Sequence, residues 1–170
     1  MVNTLLKDNL FYQVIGRKSV ILVPWKQSVC VYPCPNNIVN SQLDLANLNL
    51  ELHPKVKKAT LYAATMEPGD MLFIPKGWWH DIRSLTPSIS LNHWFGLPLN
   101  FRDYTALIWK LGVPCWQAIA KDFYHKGMLK KPEKTDFFFS PATTGKRLYD
   151  LLRWGNFSKD NDPVEKEITE

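Results

Sequence analysis

The sequence predicts a mostly β fold, a small barrel followed by C-terminal α-helices, and three observations predict it. Short apolar runs bounded by turn residues recur over residues 9–23 and 67–95. Within them side chains alternate with the period of two that a strand imposes. After Gly96 the apolar spacing lengthens to that of a helix.

Residues 9–15 and 18–23 are β-rich runs on either side of Gly16-Arg17, which predicts a hairpin with a two-residue turn. Both are apolar on both faces at several positions, as central strands are, and Pro24 closes the second. Residues 26–58 carry Pro33, Pro35 and Pro54 among Asn-rich connectors. They predict a long loop, with a short strand or turn at 29–32 and a helical turn around 44–50. A strand resumes at 59–64. Pro68-Gly69 and Pro75-Lys76-Gly77 are turns that bracket the run 71–74 and introduce 78–83, a second expected hairpin. Period two places Trp78, His80 and Ile82 on one face, and Ser88, Ser90, Asn92 and Trp94 on one face of the next strand. A barrel lined in this way has a cavity carrying a few polar groups.

Tyr104, Leu107, Ile108 and Leu111 fall at helical spacing, and Gly112-Val113-Pro114 ends that helix. Trp116, Ile119, Ala120 and Phe123 begin a second helix. Leu148, Leu151 and Leu152 predict a third over about 143–154. The expected organisation is a barrel portion over 1–100, a helical extension over 101–157 and a disordered acidic tail over 158–170.

A chain of 170 residues suffices for one domain with a core and is short for two. Hydrophobic residues at 45% and aromatics at 13% exclude a disordered chain. No window reaches the apolar length of a membrane span, and the first residues lack the regions of a signal peptide, so an intracellular, cytoplasmic protein is expected. Cys30, Cys34 and Cys115 lack zinc spacing and read as free thiols. The net charge of +5 permits nucleic-acid contact. However, Lys55, Lys57 and Lys58, and Lys126, Lys130, Lys131 and Lys134, come with no nucleic-acid-binding motif. A basic RNA-associated protein is therefore the weaker reading.

The stretch Glu67-Pro-Gly-Asp-Met-Leu-Phe-Ile-Pro-Lys-Gly-Trp-Trp-His80, followed by Asn92-His-Trp-Phe95, closely resembles the C-terminal half of the JmjC-type cupin domains. These include asparaginyl and lysyl hydroxylases and histone demethylases. Asn9-Leu-Phe-Tyr-Gln-Val-Ile-Gly-Arg-Lys18 resembles the same family's stretch just after its His-x-Asp iron motif. The resemblance implies a partial double-stranded β-helix, the cupin or jelly-roll barrel. It also implies an Fe(II)- and 2-oxoglutarate-dependent dioxygenase acting on a protein or other macromolecule.

On that resemblance His80 matches the distal histidine of the two-histidine, one-carboxylate iron triad. Lys18 matches the lysine that pairs with the distal carboxylate of 2-oxoglutarate. Asn9 and Asn92 match asparagines near the cosubstrate, and Trp94 matches a pocket-lining aromatic. The other two iron ligands should fall at positions 3 and 5, where this sequence has Asn3 and Leu5. Asp8 lies three positions past the motif's aspartate, and His93 points away from the Asn92 face, so neither replaces them. Two explanations follow: a portion of a longer active enzyme, or a non-catalytic cupin-fold module for binding or dimerisation. The family's asparaginyl-hydroxylase branch dimerises through C-terminal helices, so either a homodimer or helices folded back on the barrel is expected. Strands left without partners are expected to invite association.

Overall fold

The computed structural model describes residues 2–45, 47–97, 99–129 and 143–154. The tail expected over 158–170, and Lys130, Lys131 and Lys134, lie outside them. The chain divides into one unit of residues 1–34 and 39–107 and a second of residues 35–38 and 108–170.

The first unit is built from antiparallel strands β1 (Asn3–Thr4), β2 (Asp8–Ile15), β3 (Lys18–Val23), β4 (Pro33–Cys34), β5 (Asn37–Ser41), β6 (Tyr62–Met66), β7 (Met71–Ile74), β8 (Trp79–Ser84) and β9 (Ile89–Phe95). They form a larger sheet in the order β4-β5-β1-β8-β3-β6 and a smaller one in the order β7-β2-β9. β2 and β3 are internal strands, as their apolar faces predict.

Neither expected hairpin forms. β2 and β7 belong to the smaller sheet, while β3 and β8 belong to the larger, so Gly16 and the Pro75-Lys76-Gly77 turn carry the chain from one sheet to the other. A positive-φ glycine between two strands serves a hairpin or a crossing equally well, and only distant pairing decides. At Gly16 φ is +75°, and a Cβ would sit 2.1 Å from the Pro87 carbonyl oxygen, so no other residue makes this corner without distortion. Gln13 holds the corner: its buried amide donates to the carbonyls of Ile15 (2.7 Å) and Gly16 (2.8 Å) and accepts from Ser90 Oγ (2.7 Å).

Two other local expectations are corrected. Of the expected strand or turn at 29–32, residues 29–31 belong to a 3-10 helix, Trp25–Val31, which Tyr32 caps, and the helical turn expected around 44–50 falls instead at Pro54–Lys58, where proline occupies the first helical turn. The strand expected at 59–64 runs over Tyr62–Met66.

Adjacent tryptophans show how period two divides the molecule. Trp79 faces the back of the larger sheet, fully buried with Val2, Val23, Val31, Leu43 and Val56. Its indole stacks on Trp25 (6.4 Å) and donates to Ser28 Oγ at 2.8 Å. Trp25, Tyr32, Leu45, Leu48 and Ala59 pack against this cluster and cover that back face, and Arg83 helps by bridging buried Asp81 (2.7 Å) to Asp44 (2.8 Å). Trp78 faces the other way, against the core between the sheets formed by Phe11, Val20, Met66 and Ile74.

The second unit contains the end of α1 (Phe101–Leu111), then α2 (Val113–Asp122), a wider π turn Phe123–Met128 and α3 (Thr144–Trp154). These helices fall where the apolar spacing predicts them. Thr144 Oγ1 accepts from the Ile38 amide at 3.0 Å, and Arg147 donates to Asn37 Oδ1 at 3.1 Å, fixing residues 35–38 to α3. Cys115 is buried beside them, and burial pushes its thiol up to about 11.

Trp79→Ala is expected to cost about 3–5 kcal/mol in a urea melt, the scale of losing a large buried aromatic; a cost under about 1 kcal/mol would show that the back layer does not depend on it. In the second unit a Cβ at Gly145 would lie 2.4 Å from Asp122 Cβ. Gly145→Ala should therefore destabilise α3 by about 1–3 kcal/mol, read as faster hydrogen exchange along that helix.

The outer face of the smaller sheet is apolar and open: Met71, Phe73 and Leu91 are 62%, 51% and 60% exposed. Among the described residues no strand pairs with the far edge of β9. Leu91→Lys should reduce self-association measured by light scattering without lowering the melting temperature; unchanged association would place the sticky surface elsewhere.

Candidate functional site: the polar lining of the barrel

Strand register brings the candidate residues to one interior. In the larger sheet Asn3, His80 and Leu22 lie side by side across β1, β8 and β3. The next interior row is Ile82, Val20 and Ala64, and the next Ser84, Lys18 and Met66. In the smaller sheet Asn9 lies beside Trp94 and Ile74, Phe11 beside Asn92 and Leu72, and Gln13 beside Ser90. Phe11, Val20, Met66, Ile74, Leu22, Leu72, Trp78 and Ile82 share one core cluster, which places these rows face to face between the sheets. All five predicted site residues, Lys18, Asn9, Asn92, Trp94 and His80, therefore point inward.

The polar groups there are incompletely matched. Asn9 is 2% exposed; its amide nitrogen donates to Asn92 Oδ1 at 3.1 Å, while its own Oδ1 is buried without a hydrogen bond. Trp94 Nε1, in the neighbouring position, is also buried and unbonded, as is Asn3 Oδ1. Such orphans cost about 1–3 kcal/mol each when nothing meets them. Lys18 reaches across from the larger sheet and holds its ammonium 5.3 Å from the Phe11 ring centroid. Among the described residues no carboxylate lies within ion-pair distance of it. A half-buried cation resting on an aromatic face is poised for an anion.

His80 lies at the opposite end of the interior, beyond the row of Ile82. Four residues of strand separate the Lys18 and Leu22 positions, roughly 13 Å at about 3.3 Å per residue. Burial holds the His80 imidazole below its ordinary pKa, outweighing the raising effects of the Trp78 carbonyl and the Asp81 charge, so it is neutral at pH 7. Nδ1 lies 3.3 Å from the Trp78 carbonyl oxygen and donates to it, which leaves Nε2 as an acceptor.

An iron triad does not fit these residues. The position facing His80 is Asn3, and Leu5, two residues on, spends its carbonyl on the Gly77 amide at 2.7 Å. Leucine has no donor atom, and a neutral amide is a weak ligand for ferrous iron. Asp8 points to the outer face of β2, where its Oδ1 accepts from the Lys76 amide at 2.8 Å. His93 is on that outer face too, stacked on Phe95 at 5.8 Å. No group of three or more His, Cys, Asp or Glu that could hold a metal occurs among the described residues.

Sequence reasoning missed Gln13 and Tyr62. Gln13 follows Asn9 and Phe11 at period two, a signal that was available but that a polar residue in a strand obscures. Tyr62 packs on Trp78 at 5.7 Å at the His80 end of the barrel, and nothing local marks it. Among the described residues no helix is long and apolar enough to cross a membrane.

Residues 6–100 match the cupin-like domain family. The chain is 36% identical over 91 residues to Jumonji C domain-containing protein 5 of Drosophila melanogaster, covering 52% of this chain and 23% of that one. It is 36% identical over 94 residues to human HSPB1-associated protein 1, covering 52% and 19%. It is 36% identical over 97 residues to the tRNA wybutosine-synthesizing protein 5 of Danio rerio, covering 56% and 29%. It thus spans less than a third of the length of these relatives. The ribosomal oxygenase YcfD of Escherichia coli, solved with cobalt and succinic acid, aligns over 79% of this chain and 27% of its own, with a TM-score of 0.36 and 16% identity. With its two antiparallel sheets, its inward-facing motif residues and a family match over more than half its length, the chain belongs to the cupin-like domain family, as a JmjC-type cupin.

Proposed function

We propose that this chain is the cosubstrate-binding part of a JmjC-type oxygenase fold, and that its barrel receives 2-oxoglutarate or a related dicarboxylate. The observation that carries this is Lys18: its ammonium lies between the sheets over Phe11, without a carboxylate partner among the described residues. An ammonium so placed costs desolvation energy that an incoming carboxylate offsets. Asn9 Oδ1 and Trp94 Nε1, both buried and unbonded, are an acceptor and a donor on the facing sheet that a polar ligand would satisfy. The family reading extends this to oxygen-dependent hydroxylation, or demethylation through hydroxylation, of a protein or other macromolecule.

The second reading, a non-catalytic binding module, is favoured by a separate observation: Asn3 and not histidine faces His80. A dicarboxylate pocket is common to both readings.

Calorimetric titration of the chain with 2-oxoglutarate and with succinate tests the pocket. Binding is expected, and Lys18→Ala should weaken it at least tenfold, about 1.4 kcal/mol, while leaving the melting temperature within a few degrees. Equal affinity in the variant would remove Lys18 from the site. Failure of every dicarboxylate to bind the folded chain would end the proposal.

A further inference from the structure

We propose that an exposed aromatic ridge of the second unit, formed by Trp109, Val113, Trp116 and Tyr124, rests on an anionic lipid surface. The inference is independent of the barrel and of its ligand.

Helical spacing builds the ridge. Gly112, at a φ of +70°, separates α1 from α2, and across this break Trp116 stands edge-on to Trp109 with ring centroids 6.0 Å apart. From α2 into the π turn, Val113, Trp116, Gln117, Ala120, Lys121 and Tyr124 follow at three- and four-residue steps and share one face, which is exposed. Cys115 and Ile119 take the opposite face and are buried. Trp109 is 75% exposed and Val113 66%. Exposed apolar area of this kind marks an interaction surface. A side chain left three-quarters in water stands proud of its helix, and a bilayer interface yields to such a shape without having to match it.

Charge names the partner. Residues 108–154 hold nine Lys or Arg against four Asp or Glu, a formal +5 that equals the charge of the whole chain. Lys110 follows Trp109 directly, Lys121 lies on the exposed face of α2, and both are exposed. The only carboxylate in α2, Asp122, belongs to the other side, where its Oδ2 is buried near Gly145. Tryptophan and tyrosine rings settle at the boundary between headgroups and acyl chains, and lysines beside them reach anionic headgroups along their aliphatic stems. Among the described residues no helix is long and apolar enough to cross a membrane, so the contact lies along the surface. Single-stranded nucleic acid would also draw on exposed rings and cations. However, Val113 and Ala120 alternate with the aromatic positions, and they offer apolar surface to an acyl chain but no contact suited to a base or a phosphate.

The test is flotation of the 170-residue chain with vesicles of phosphatidylcholine, alone or mixed with phosphatidylserine, together with quenching of its tryptophan emission by brominated acyl chains. Binding to the mixed vesicles, with quenching, is expected at low salt and should fall at high salt. Trp109→Ala and Trp116→Ala should each weaken it about tenfold and remove part of the quenching. Lys110→Ala and Lys121→Ala should each weaken it about fivefold, and all four variants should melt within a few degrees of the parent because the side chains are exposed. Equal binding to phosphatidylcholine alone, binding that the four variants leave intact, or no vesicle binding by the folded chain at low salt would each overturn the proposal. So would a chain that ignores vesicles and instead forms a dimer in sedimentation, or binds oligouridine, in a manner that Trp109→Ala abolishes. The ridge would then belong to a second copy or to a nucleic acid.

Discussion

The crossing of the chain at Gly16 is the constraint on which the site depends. β2 ends in the smaller sheet and β3 begins in the larger, with two residues between them. Because the crossing is so short, inward residues near the end of one strand and the start of the next face one another across the core. That places Lys18 over Phe11 and within one interior with Asn9. Gln13 braces the crossing by donating to the carbonyls of Ile15 and Gly16, and Ser90 completes its bonding from β9. Strands β2 and β9 and the Gly16 crossing are tied through one buried amide, and a hairpin at the same position would have turned Lys18 away from the smaller sheet.

What was legible in the sequence was local. The alternation of Trp78, His80 and Ile82, and of Ser90, Asn92 and Trp94, needs only the pleat of a strand, and the inward direction of both sets follows from it. The helices were legible because Leu107 and Ile108, and later Leu148 and Leu151, repeat at helical spacing and are buried. The pairing of strands was not legible, since the glycine and proline signals for a hairpin and for a sheet crossing coincide. The insert over 24–61 was not legible either. Its short 3-10 helices are set by Trp79 and Ser28, contacts more than fifty positions apart in the chain that no local window contains.

The interior departs from the economy of an ordinary core. A sheet sandwich of this size gains stability from apolar contact between its faces, yet here Asn9, Asn92, Trp94, Asn3 and His80 take positions that valine or leucine could fill. Burying amides whose oxygens lack partners weakens a fold, and natural chains retain such groups mainly where a ligand meets them. The back of the larger sheet shows the contrast: Trp79 is fully buried, and there its single polar atom is bonded to Ser28.

Charge balance sharpens what the barrel can hold. The interior rows contain one formal charge, the Lys18 ammonium, because burial keeps His80 neutral. In an iron site two further positive charges and one ligand carboxylate would share this space, and a dianion would be well matched. Without the metal a dianion leaves a net negative charge between the sheets. A residual charge of this kind is costly: a unit pair at 4 Å is worth about 4 kcal/mol even at an effective dielectric of about 20. A molecule with two carboxylates and one ammonium carries one net negative charge and cancels Lys18.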